Sequence, residues 1–415
     1  MVNSEFVLLI LSVVAGAYMA WNIGANDCSN AMASAVGAKV ITLRQALVLA
    51  TVLTFLGATF VGSHVARTIL NDIVNQETIK NPVLVWLGLL SALFSASLWV
   101  CLSTYKNLPV STTHSIIGAM IGVGLVAGGP SVVHWSKVGF IFLSWILSPI
   151  LSGVAAFFIF KFIDRTILSR LDTARGAVFV SPILVAATVF IVTLSLVSKT
   201  PLGDKLQING SEALLIAMIA ALVSHVASFS ILKYKLNQGE FAVAEQIFRY
   251  LQVMTSCYVS FGTGANDVAN AMGPLAGIYY IYCHGAIAEQ TPIAPVLLAF
   301  GGVMICIGVW TWGYRVIETM GSKITELTSV RGFTVEFSAA TVILVASMMG
   351  LPVSTTHAAV GAFVGVGLAR GLQGLLDLGT LAQIMVYWLI TVPVAAITSA
   401  LIYMGLILLF MGSSL

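Results

Sequence analysis

Charged side chains are scarce in this chain. Asp, Glu, Lys and Arg make up 8% of 415 residues and the formal net charge is only +3, so there is no basic domain of the kind that binds nucleic acid. Cysteine is scarce too. Cys28, Cys101, Cys257, Cys283 and Cys306 are scattered and form no Cys-x-x-Cys pair, which suggests neither a disulfide framework nor a zinc site. Cys28, beside a polar string, is expected to be a small packed thiol. Also missing is a glycine-rich phosphate loop ending in Gly-Lys-Ser or Gly-Lys-Thr, for which Gly37-Ala38-Lys39 is no substitute. No convincing nucleophile triad is evident either, so the chain is expected not to be an enzyme and to need no organic cofactor. Met1 to Glu5 has no positive n-region, so Phe6 to Trp21 is expected to be the first membrane helix and not a cleaved leader.

Apolar residues dominate what is present: 59% of the chain, with a mean hydropathy of +1.00. Apolar blocks of about 20 residues, each able to cross a roughly 30 Å hydrocarbon core as a helix, are separated by short polar joints. They fall near 4–36, 42–66, 82–104, 108–129, 134–161, 176–198, 211–232, 246–282, 293–314, 332–350, 352–370 and 380–411. The expected fold is an all-α polytopic membrane protein with about 12 transmembrane segments. The joints at Asn107-Leu108-Pro109 and Gly350-Leu351-Pro352 are too short for full-length hairpins, so broken or re-entrant helices are expected there. Of 19 basic residues, only Arg67, Lys80, Lys137, Lys199 and Lys205 fall on one side of this topology. The richer side, densest from Lys161 to Arg175, is then cytoplasmic and both termini face outward.

Polar strings are duplicated inside this apolar sequence. Gly24-Ala-Asn-Asp27 recurs as Gly264-Ala-Asn-Asp267, 240 residues on, and Leu108-Pro-Val-Ser-Thr-Thr-His114 recurs as Leu351 to His357, 243 residues on. Chance does not place two polar strings twice in the same order. An odd number of spans, seven, separates the two Asp-bearing blocks, so the copies enter the membrane from opposite sides. The expected organisation is a first inverted repeat over 1–162, a linker helix pair over 163–240 and a second inverted repeat over 241–415, as in many secondary transporters. Two such halves are expected to rock against each other in alternating access.

Asp27 and Asp267 each sit within a stretch long enough to span, where a carboxylate needs a cation, a proton, a polar partner or water. Asn26, Asn30, Asn266 and Asn270 add amide oxygens, and Gly24 and Gly264 allow a bend or close approach. An oxygen-only set suits sodium better than a soft metal; the competing reading is capping of a broken helix. Ser111, Thr112 and Thr113, with Ser354, Thr355 and Thr356, follow Pro109 and Pro352 and carry helix-start signals. Opposed buried helix starts offer N–H groups and hydroxyls to a tetrahedral oxyanion. No Lys or Arg lies in the four strings, so bound cations would offset the two carboxylates and make anion and cation binding mutually dependent. His114 and His357 are open between anion donors and structural histidines. His225, Glu245, Gln246 and Glu336 are expected to be structurally paired, a place on the transport path being the alternative, and Arg67 and Arg249 to fix helix ends or the membrane interface. Ser29, replaced by Ala269 in the second copy, offers an oxygen with no repeat counterpart.

These paired strings, GANDxxNA and PVSTTH, resemble those of the inorganic phosphate transporter (PiT) family over nearly the whole chain. The resemblance implies uptake of inorganic phosphate by sodium or proton symport, an inverted-repeat fold and a homodimer in the membrane lipid. It assigns Asn26, Asp27, Asn30, Ser111, Thr112 and Thr113 in one half, and Asn266, Asp267, Asn270, Ser354, Thr355 and Thr356 in the other. The oxygen-rich strings favour sodium over protons as the coupling ion. A sulfate permease and an anion channel are the competing functions. The short polar joints leave no room for the large cytoplasmic insertion of eukaryotic relatives, and a compact microbial inner-membrane transporter is expected.

Overall fold

Side-chain caps set many of the helix boundaries in the computed structural model, which describes residues 4–198, 208–240, 242–288, 291–317, 328–371 and 378–412. Thr42 and Gln45 form a reciprocal capping box that starts α2, Leu43–Val61. Asn81 accepts from the Val83 N–H and Pro82 occupies the first turn of α5, Pro82–Tyr105. Ser111 starts α6, Thr112–Gly128, and Ser354 starts α14, Thr355–Ala369, each by accepting from the N–H of the third helical residue. The other elements are α1 (Ser4–Gly37), α3 (Ser63–Asn71), α4 (Gln76–Ile79), α7 (Trp135–Ile163), α8 (Thr173–Ser198), α9 (Gly210–Asn237), α10 (Ala244–Asp267), α11 (Ala269–His284), α12 (Pro295–Gly308), α13 (Ser329–Met348) and α15 (Leu378–Met411). Turns of π-helix extend α7 over Asp164–Leu168 and α12 over Val309–Gly313.

The fold is all-α, and among the described residues the single β feature is an isolated bridge between Val74 and Val133. Nine of the described helices are long and apolar enough to cross a membrane. α6 and α14 are apolar but have 17 and 15 residues, about 25 and 22 Å at 1.5 Å per residue. Each is the short arm of a hairpin whose long arm, α5 or α13, is the most buried of the spanning helices, with 72% and 78% of its apolar window enclosed. α9 is the opposite case: it packs on α8 and buries little but Ala213 and Ala217.

The Gly-Ala-Asn-Asp strings do not break their helices as expected. α1 runs without interruption from Ser4 to Gly37, through Gly24 and Asp27. In the second copy a single turn residue, Val268, divides α10 from α11 while keeping helical angles (φ −56°, ψ −29°). The glycines serve contact and not bending. A Cβ on Gly24 would lie 1.9 Å from the Ile305 carbonyl oxygen, and one on Gly264 would lie 2.1 Å from that of Thr54. α1 therefore touches α12 backbone to backbone, and α10 touches α2 in the same way.

The same device joins the hairpins. Gly361 and Gly365 of α14 press on the backbone of α7 at Pro149 and Gly153, and Gly118 and Gly122 of α6 press on α15 at Val392 and Ala396. Every one of these contacts links a helix of the first copy to one of the second. Helices of the two sequence halves are thus interleaved, and relative movement between the halves involves these close backbone contacts. Of the basic residues used to orient the chain, Lys199, Lys205 and Lys323 lie outside the described residues. Arg249 fixes a helix end as expected, donating to the Lys39 carbonyl beyond α1 at 3.3 Å.

Candidate functional site

The site begins with two hairpin turns held by asparagine. Asn26 on α1 donates to the Thr104 hydroxyl (2.8 Å) and the Leu108 carbonyl (3.2 Å) and accepts from the Val110 N–H (3.2 Å). Asn266 on α10 repeats the first two bonds, to Ser347 (3.0 Å) and Leu351 (3.2 Å). Each asparagine thereby sets the start of the short helix that follows. Thr104 and Ser347 were not singled out by sequence, although both are hydroxyl residues 243 apart, the hairpin offset itself.

Beyond each asparagine lies the carboxylate. Thr112 donates to Asp27 at 2.8 Å and Thr355 donates to Asp267 at 3.2 Å. The next contact crosses between the copies. Asn270 donates to Thr112 and Thr113, both at 3.2 Å, while Asn30 donates to Thr355 (3.3 Å) and Thr356 (3.0 Å). Each leading threonine is therefore a bridge, giving its proton to the Asp of its own half and accepting from the Asn of the other. Thr113 spends its proton on the Val353 carbonyl across the same boundary, at 3.1 Å. All twelve residues expected from sequence meet here. All are buried except Asn30, which keeps partial exposure.

One oxygen each of Asp27, Asn30, Asn266, Asp267 and Asn270 is buried without a hydrogen-bond partner among the described residues. A buried polar atom left unpaired costs about 1–3 kcal/mol, so five among these residues set them apart from an ordinary helix interface. The atoms so left are oxygens only. Ser111 and Ser354 cap the short helices through their oxygens, accepting from His114 and His357 at 3.2 Å. The first N–H groups of these helices have no intrahelical acceptor. The carboxylates thus meet the helix starts through the Thr112 and Thr355 hydroxyls.

The histidines turn away to a separate contact. His114 stacks on Trp145 at 3.7 Å between ring centroids and His357 on Trp388 at 3.5 Å, and the two imidazoles meet edge to face at 4.3 Å. Ser29, expected as a spare oxygen, instead donates to the Asn26 carbonyl of its own helix at 2.9 Å. Glu336 is buried on α13 and accepts from Ser34, from Thr255 at 2.6 Å and from Ser256 at 2.9 Å. It breaks the repeat, because its counterpart is Leu93. Glu245 accepts from the Ser329 N–H at the start of α13, and Gln246 accepts from the N–H groups of Ala242 (2.6 Å) and Val243 (3.3 Å).

The sequence pattern of the phosphate transporter family matches residues 23–399, which takes in all four strings and both hairpins. The chain belongs to this family. Within it, the chain is 44% identical over 396 residues to a candidate phosphate permease of Thermococcus kodakarensis, covering 95% of this chain and 97% of that one. It is 41% identical over 417 residues to inorganic phosphate transporter 2-1 of the Arabidopsis thaliana chloroplast, covering 94% of this chain and 70% of the plant protein. Among solved structures it is similar to the sodium-dependent phosphate transporter, with a TM-score of 0.92, 42% identity, and coverage of 97% of this chain and all of that one. By its family the chain is a transporter and not an enzyme.

Proposed function

We propose that this phosphate transporter family member imports inorganic phosphate into the cytoplasm by sodium-coupled symport, with alternating access. The observation that carries the reading is the pair of crossed bridges, Asp27–Thr112–Asn270 and Asp267–Thr355–Asn30. Sodium is the cargo held by Asn26, Asp27, Asn30, Asn266, Asp267 and Asn270. Phosphate is the cargo held by Ser111, Thr112, Thr113, Ser354, Thr355 and Thr356 with the N–H groups of the two helix starts. Coupling follows from which partner each threonine proton has. With no cation, Thr112 and Thr355 satisfy the carboxylates. A sodium ion at each Asp takes over that charge, and the hydroxyl is free to turn to the anion. Two neutralised carboxylates also stop repelling phosphate, in a site with no Lys or Arg to offset them. Loss of sodium on the cytoplasmic side reverses both effects.

The topology that goes with this function is the inverted repeat, 1–162 and 241–415, with 163–240 as the linker pair and both termini outside the cell membrane. The correspondence of α1 with α10–α11, of α5–α6 with α13–α14 and of α7 with α15 at offsets of 240 to 243 residues supports it. So does the gathering of Lys161, Arg331 and Arg370 at one end. The weakly packed α9 leaves a broad apolar face for lipid and for a second protomer of a homodimer. Phosphate uptake into sealed proteoliposomes, driven separately by sodium and proton gradients at matched membrane potential, tests the proposal. Uptake above equilibrium with sodium alone is expected. Uptake that follows only protons, or conductance without accumulation, overturns it, as does sulfate import that phosphate does not inhibit.

A further inference from the structure

The two hairpin turns are copies in sequence but not in hydrogen bonding. Trp145 on α7 and Trp388 on α15 lie 243 residues apart, the offset that relates Pro109 to Pro352 and His114 to His357. Both indoles are buried, and each stacks on the histidine of its own copy. Their backbone surroundings match as well. Four residues beyond Trp145, Pro149 meets Gly361 of α14, and four residues beyond Trp388, Val392 meets Gly118 of α6. Trp145 donates its indole N–H at 3.0 Å to the Pro352 carbonyl, on the turn of the other copy. The indole nitrogen of Trp388 is buried with no hydrogen-bond partner among the described residues. A second difference lies at the same turns. The Val110 N–H goes to Asn26 at 3.2 Å, whereas the Val353 N–H goes to the Leu351 carbonyl at 3.0 Å and the matching oxygen of Asn266 is left unpaired.

We propose that Trp145 and Trp388 are positioning residues that grip the two turns in alternation. In the form described above, Trp145 holds the Pro352 turn and with it the start of α14. In the opposite-facing form Trp388 donates to the Pro109 carbonyl and Trp145 lets go. The inference rests on the alternating-access reading above, in which inverted copies exchange their arrangements. An indole N–H can only donate, and a buried donor without an acceptor is unfavourable. Trp388 therefore carries a group that is satisfied only when the first turn takes up the arrangement that the second turn has now. The repeat supplies the acceptor, since the same stacking and the same helix contact bring Trp145 to the proline of the facing turn. Each grip fixes one helix start, that of Thr355 in this form and that of Thr112 in the other, so the two bridging threonines are set in turn.

The test reads the indole N–H signals of the whole protein, labelled with ¹⁵N-tryptophan, in nanodiscs. Trp145→Phe and Trp388→Phe each remove one signal and so assign it, and Phe keeps an aromatic face on the histidine while losing the donor. In the unmodified protein the Trp145 signal is expected at the downfield position of a bonded N–H and the Trp388 signal upfield of it. Trp145→Phe should favour the opposite form by about two- to tenfold, the contribution of one hydrogen bond, and shift the Trp388 signal in position or intensity toward that of a bonded N–H. Two bonded signals in the unmodified protein, or a Trp388 signal that Trp145→Phe leaves in place, overturn the proposal. Sodium-driven phosphate uptake into proteoliposomes gives a second measurement. The double Phe variant weakens both forms alike and should transport faster than the slower of the two single variants. A double variant slowed by the product of the two single effects, as independent structural damage would give, overturns the proposal. Absence of sodium-driven uptake by the unmodified protein counts against the transport reading alone, because the indole signals report the two forms without it.

Discussion

Thr112 and Thr355 each make two bonds of opposite kind with one hydroxyl, and that doubles their importance relative to their neighbours. Replacing either by Val removes a donor to Asp and an acceptor for Asn in one step. Sodium-driven phosphate uptake is expected to fall by about tenfold or more, since hydrogen bonds to charged groups contribute roughly 1.5–3 kcal/mol, and Thr112→Ser should retain most of it. Asp27→Asn and Asp267→Asn keep the shape but remove the charge, so each should lose sodium dependence of uptake, measured as initial rate against sodium concentration. Uptake by the double variant that still follows sodium would rule out these carboxylates as the coupling groups. Glu336 gives a prediction on stability. Glu336→Leu installs the residue found at the equivalent position of the other half and strands the hydroxyls of Ser34, Thr255 and Ser256. Thermal unfolding in detergent should show a loss of about 1–3 kcal/mol.

Helices in lipid gain little from burying apolar surface against each other, so close contact has to come from small residues. Glycine in α6 and α14 supplies it at the boundary between the copies. A Cβ on Gly361 would lie 2.1 Å from the Pro149 carbonyl oxygen, and one on Gly122 would lie 2.1 Å from that of Ala396. Gly361→Val and Gly122→Val are therefore expected to lower the midpoint of thermal unfolding or prevent accumulation of folded protein, overpacking of this kind costing about 1–3 kcal/mol or more. Gly139 on α7 has nothing within 4 Å of the same position, and Gly139→Ala should be neutral or slightly stabilising. Equal effects at all three positions would mean that composition, not contact, is what matters.

At the scale of the molecule, the interleaved packing restricts how the site can open, because each half holds helices of the other. The proposed topology predicts that a single cysteine at Asp172, in an otherwise cysteine-free protein, reacts with an impermeant thiol reagent only from the cytoplasmic side. A tag following Leu415 should be reached only from outside. The membrane fold, its hairpins and the twelve polar residues that the structure brings together were legible in the sequence, because an apolar chain makes every polar string conspicuous and duplication separates signal from chance. The choice between a bend and a close approach at Gly24 and Gly264 was not, since a glycine that permits a bend and one that permits contact are the same letter, and only the Ile305 and Thr54 carbonyls opposite them decide. Nor was the sharing of Thr112 between Asp27 and Asn270, residues 240 apart in the duplicated strings plus three. By itself the sequence determined the membrane-spanning class, the two copies and the chemistry of the donors, all properties of residue type and order. Tertiary structure alone decided that Asn30 and Asn270 each donate to the threonines of the other copy, because helix-to-helix contact across a repeat boundary depends on shape at distances that no local pattern records.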